Sequence, residues 1–262
     1  VIPDELPHLR LGADIDLAGV EFTPAADFYG VFDGQGYAIK NWNTSRALFI
    51  VNHGTVKNIV IDASCTLTAA YDTSGDKNVG FVVEDNEEPG IVAGCVNNGK
   101  VIVNDLSCAG HRIGGVVGTS YGTVHDCINN GDIEVTSVAV NNNHNIGGVV
   151  GYCNPNAGSK DALGTAFLAN CINNGNVTVV FPCLPKKAMV GGVLGGTQNA
   201  ASTTATHLGT IKNCINNGDV KYRFEVLNSG TYGNVGGVVG YAQVDLIDCN
   251  NYGRVEYSTP TD

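Results

Sequence analysis

After each of five cysteines, buried-type and polar residues alternate with a period of two. Cys127, Asn129, Gly131, Ile133 and Val135 share one parity, while Asp132 and Thr136 fall on the other. That alternation predicts a β-strand with one face in a core. Val124 sits on the parity opposite Cys127, so the chain must bend or bulge between them. The block Ile113-Gly-Gly-Val-Val-Gly118 reads as a short strand between bends, with glycines permitting positive φ and close backbone approach. No stretch carries a convincing 3.6-residue period.

The pattern recurs along the chain. Its cysteine block reads CVNNGKV from Cys95, CINNGDI from Cys127, CINNGNV from Cys171, CINNGDV from Cys214 and CNNYGRV from Cys249, at spacings of 32, 44, 43 and 35 residues. A glycine block precedes each, starting at Val79, Ile113, Ile146, Val190 and Val235. A sixth, earlier unit reads Gly54-Thr-Val-Lys-Asn-Ile59, with Ile59 where the others have cysteine. A position that accepts Ile calls for a small-to-medium apolar group rather than for thiol chemistry.

Short strands at a fixed period with no intervening helix predict an all-β parallel solenoid, each unit one turn stacked about 4.8 Å from the last. One domain over 1–262 is expected, with 1–45 as an N-terminal cap segment and about six repeat units over 46–257. Equivalent residues should then form ladders: Cys95, Cys127, Cys171, Cys214 and Cys249 as reduced interior thiols, and Asn97, Asn129, Asn173, Asn216 and Asn251 as a hydrogen-bonded amide ladder.

Composition narrows the function. Glycine is 35 and asparagine 29 of 262 residues, and charged residues are 15%, against about 25% in typical domains. The formal charge of −11 argues against nucleic acid, which is bound by neutralising phosphates, and no apolar run reaches the ~18 residues of a membrane span. The start at Val1 is what a trimmed mature fragment would give, either a monomer or part of a larger chain.

Candidate chemistry is sparse. Nine cysteines cannot all pair within the chain; any disulfide would come from Cys65, Cys108, Cys153 and Cys183. No C-x-x-C or H-E-x-x-H occurs, so neither metal nor cofactor is expected. His125 is two residues before Cys127 but aligns with Lys57 and Lys212, a solvent-facing position. Asp132 and Asp219 lie two rungs apart, roughly 9.6 Å from twice the strand spacing, at the edge of the range for inverting glycoside hydrolysis. Two inserts, 152–165 and 197–208, break the repeat on one side of successive turns. Tyr152, Asn154, Asn156, Lys160, Asp161, Gln198, Asn199 and His207 are their candidate ligand contacts. A second insert family precedes the glycine block at 138–145, 181–188 and 224–234.

These residues resemble those of bacterial GLUG-motif repeat proteins, in which Gly-Gly-hydrophobic-hydrophobic-Gly is followed by Gly-Thr-Ile-x-Asn-Cys and x-Asn-x-Gly. The opening segment fits too, through Leu11-Gly-Ala-Asp-Ile-Asp-Leu17 and Phe28-Tyr-Gly-Val-Phe-Asp-Gly-Gln-Gly-Tyr-Ala-Ile39. The resemblance covers roughly residues 9 to 257. It implies a β-solenoid from a secreted or cell-surface protein with no catalytic residues of its own. The expected function is adhesion or binding of a host glycan or surface protein. The alternatives are a polysaccharide-cleaving enzyme using Asp132 and Asp219, or a passive stalk.

Overall fold

The computed structural model describes residues 6–71, 77–105, 110–137, 143–154, 166–181, 187–197, 209–225 and 232–258. Among them are thirty-five strands and no helix. One turn of the coil lays down five strands: His111–Gly114, Val117–Ser120, Thr123–His125, Ile128–Asn129 and Ile133–Ser137. Each pairs in parallel with its counterpart in the next turn, giving five sheets, called here sheets 1 to 5 in that order. They contain five, seven, eight, eight and seven strands. The segment expected as a cap is itself coiled: His8–Arg10 and Ile15–Asp16 begin sheets 3 and 4, and Ala25–Phe28 to Asn43–Thr44 form the next turn.

The parity break is a single left-handed residue. Asn58, Asp126, Asn170, Asn213 and Asp248, each just before the Cys/Ile59 column, have φ of 53–56°, and Gly94 fills the same place at 61°. Asn, Asp and Gly are the residues that tolerate this conformation. The corner turns the cysteine position inward. Cys95, Cys127, Cys171 and Cys214 are fully buried with Ile59, and only Cys249, in the last turn, is partly exposed. Thiol contacts and burial push Cys95 and Cys127 upward, and burial leads the same shift for Cys171. All five are free thiols, as are the buried Cys65 and Cys153; Cys108 and Cys183 lie outside the described residues. With peptide-level detection, native labelling by a thiol reagent should modify Cys249 first, and Cys95, Cys127 and Cys171 only with denaturant. Rapid native modification of those three would rule out this core.

The amide ladder forms rung by rung. Asn97 Nδ2 donates to Asn129 Oδ1 at 2.8 Å, Asn129 to Asn173 at 2.8 Å, Asn173 to Asn216 at 2.8 Å and Asn216 to Asn251 at 2.7 Å. Each Nδ2 also donates to the carbonyl of the glycine two residues on, as from Asn173 to Gly175 at 2.7 Å. Asn251 ends the ladder exposed.

The glycine block is the reverse of the expected arrangement. Ile113-Gly114 ends a strand of sheet 1, Gly115-Val116 is the bend, and Val117 starts sheet 2. None of its glycines has positive φ; close approach is what requires them. A Cβ on Gly148 would fall closer than 3.0 Å to Asn173 and to the Gly192 carbonyl, and one on Gly151 equally close to the Ile113 nitrogen and the Gly118 carbonyl. The second glycine therefore seats on the amide ladder, and the third lets sheet 2 lie against the backbone of sheet 1.

Sheet 1 is sandwiched. On one side the His144 ring is 4.9 Å from Phe181 of sheet 5. On the other, Arg112 lies 5.1 Å over Tyr152, and Lys187 lies 4.4 Å over Tyr241, both rings in sheet 2. The second insert family is thereby corrected: Asn143–Gly147, Lys187–Gly191 and Tyr232–Gly236 are its strands, while 138–142, 182–186 and 226–231 lie outside the described residues.

Candidate functional site

The two long inserts leave the coil where sheet 2 turns into sheet 3. Cys153 pairs with Thr197 there, so their roots stack as expected. Asn156, Lys160, Asp161, Gln198, Asn199 and His207 lie outside the described residues. Tyr152 is not a surface contact: it is 6% exposed. Sheet 1 covers it, and burial pushes its hydroxyl up to about 12. Asn154 is half-buried, with its backbone N–H donating to the Ser120 carbonyl at 2.9 Å.

That bond continues a backbone ladder past the end of sheet 2. His53 donates to the Phe28 carbonyl, Glu87 to Asn52, and Tyr121 to Asn86, at 2.8–2.9 Å. One column at this corner therefore carries Tyr29, His53, Glu87, Tyr121 and Asn154, one residue per turn. Tyr29 and His53 stack with centroids 4.4 Å apart and planes at 6°. Asp27 reaches His53 at 3.8 Å. Rings, an amide and a carboxylate in file, with Asp27 beside them, form a polar-aromatic edge at the foot of the inserts. Sequence comparison of repeats missed it because the residues differ from turn to turn; only their place is shared.

Beside this edge, sheet 2 holds one buried acid and one partly buried acid. Glu84 is 6% exposed and takes a bidentate pair from Arg46, at 2.6 and 2.7 Å. Asp85 accepts a hydrogen bond from Asn78 across the sheet 1–sheet 2 interface. Burial first, then Glu84 and Glu87, raise Asp85 to about 6. Its folded value lies above its ordinary one, so folding disfavours the charged form. The penalty is absent below about pH 4 and complete above about pH 6. Asp85→Asn should therefore raise the melting temperature at pH 7.5, and this gain should shrink on acidification to pH 4. A gain independent of pH would contradict it.

Asp132 and Asp219 are structural ligands of their neighbours. Asp132 Oδ1 accepts the Asn176 backbone N–H at 2.8 Å and Nδ2 at 3.1 Å. Asn176 Oδ1 accepts the Asp219 N–H at 3.0 Å, and Asp219 accepts the Arg254 N–H and Nη2 at 3.0 and 3.1 Å. The Arg254 backbone and guanidinium hold Asp219 below the usual carboxylate range. A general acid in glycoside hydrolysis needs the opposite shift. His125 likewise makes no dyad: Cys127 Sγ donates to its backbone carbonyl at 3.3 Å, and its ring bonds Asp126 at 2.7 Å. Among the described residues no group of three or more His, Cys, Asp or Glu could hold a metal ion.

No protein-family model matches the chain, and no curated protein matches it either. A solved structure does. A Bacteroides ovatus protein, described with its 1.30 Å crystal structure as a candidate immunoglobulin A1 protease, superposes with a TM-score of 0.56. The match covers 98% of this chain and 79% of that one, at 18% identity. At that identity the likeness carries the fold alone, and it agrees with the coil described above: the chain is an all-β parallel solenoid.

Proposed function

We propose that this chain is a non-enzymatic binding module displayed outside the cell, engaging a glycan or surface protein along the sheet 2–sheet 3 corner. The observation that carries this reading is the column Tyr29, His53, Glu87, Tyr121 and Asn154, at the foot of both long inserts. Aromatic faces with adjacent polar groups are what sugar and protein surfaces meet in binding sites. The engagement of Asp132 and Asp219 in rung-to-rung bonds weighs against hydrolysis. The similar Bacteroides ovatus protein is named for a substrate found outside cells, which favours the same compartment.

The test is binding of the purified chain to an array of glycans and host surface proteins. A specific hit should weaken at least tenfold in Tyr121→Ala and on trimming 155–165 or 198–208. Silence across the array would replace this reading with that of a passive stalk.

A further inference from the structure

A different face carries a second arrangement. Sheet 4 has eight strands of two or three residues, stacked in register. Its outward side chains form a file of Val96, Ile128, Ile172 and Ile215, all partly exposed. Beside them, two residues on, runs an amide file. Asn130 Nδ2 donates to Asn98 Oδ1, Asn174 to Asn130 and Asn217 to Asn174, each at 2.7 Å. On the other flank, at the left-handed corner, Asn170 donates to Asp126 at 2.8 Å and Asn213 to Asn170 at 3.0 Å.

An amide has two N–H donors and an oxygen with two lone pairs. Asn130 and Asn174 each spend one donor and one lone pair on the file. Each retains one of either kind, and both side chains are exposed. The face thus repeats an apolar group beside a donor–acceptor pair, about every 4.8 Å along the axis. Across these turns neither file carries a charge; the charges lie on their borders, where Asp132 and Asp219 share a position with Lys100 and Arg254 and Asp126 pairs with His125, in a chain of net charge −11.

We infer that this face binds a neutral, extended polysaccharide lying along the solenoid axis. A sugar ring has an apolar C–H surface to set on the Val/Ile file. Its hydroxyls both donate and accept, which matches the valence the amides retain. A neutral polymer meets no charge that must be desolvated without a partner, and the chain's net charge of −11 disfavours an anionic one. This site is separate from the corner site, so either can fail alone.

The test is electrophoresis of the purified chain through gels containing a neutral β-glucan, xylan or mannan, with polygalacturonate as the anionic arm. Retardation by a neutral polymer and none by polygalacturonate is expected. Asn130→Asp with Asn174→Asp should cut the apparent affinity at least tenfold, as should Ile172→Lys, with melting temperatures close to the parent's. Retardation lost in Tyr121→Ala but kept in the sheet 4 variants would place the polymer at the corner instead and overturn the proposal. No retardation by any neutral polymer, retardation by polygalacturonate alone, or retardation that survives both sets of variants would overturn the proposal. So would self-association abolished by Ile172→Lys, which would make a second copy the occupant.

Discussion

Asn173→Ala should lower the unfolding free energy by about 3–5 kcal/mol, whereas Asn174→Ala, one residue on, should cost less than about 1 kcal/mol. The two side chains make similar bonds in opposite surroundings. Asn173 is 0% exposed; it accepts from Asn129 and donates to Asn216 and to the Gly175 carbonyl. Truncation leaves a buried donor on Asn129, a buried acceptor on Asn216 and a buried carbonyl without their partner, each costing about 1–3 kcal/mol, with water excluded by Gly148 above. Asn174 faces solvent, and water replaces whatever its removal frees. Denaturant midpoints of the two variants, at unchanged m-value, measure the contrast. Equal costs would mean that the ladder's burial contributes nothing.

Gly151→Ala should be comparably severe, at about 3 kcal/mol or more, and should lower the melting temperature accordingly. The added methyl would meet the backbone of Ile113 and Gly118 rather than the end of a flexible side chain. It can be accommodated only if sheet 2 separates from sheet 1, which would also lift Tyr152 from Arg112. Gly12→Ala is the matched control. Nothing lies within 4 Å of that Cβ and its φ is not positive, so a change within about 1 kcal/mol, of either sign, is expected. Similar melting temperatures for the two variants would refute the close packing of these layers.

The ladders could be read from the sequence because stacking places identical residues on one another, and a two-residue period names the inward face. The corner was readable from the parity change between Val124 and Cys127. Four features were not. The glycine block resembles a strand when judged by Val149 and Val150, both fully buried, yet the bend lies between its glycines. Sheet 1 was hidden because segments of unequal length precede it and its inward file mixes His111, His144 and Ala188. Tyr152 looked like a loop residue because only the third dimension reveals that another layer lies over sheet 2. The corner column of Tyr29, His53 and Tyr121 was invisible for a related reason: position is conserved from turn to turn while chemistry is not.

The in-register stacking of sheet 4 has a consequence for reach. From Cys95 to Cys127 the chain spends 32 residues on a turn, and from Cys127 to Cys171 it spends 44, yet either advance carries the coil one strand spacing. The number of residues in a turn adds nothing to height. The distance between the two ends, roughly 34 Å for seven steps of the eight-stranded sheets, is therefore counted in turns. A whole turn gained or lost would change that distance by a fixed increment, and long excursions can be added to any turn without moving whatever is held at the ends.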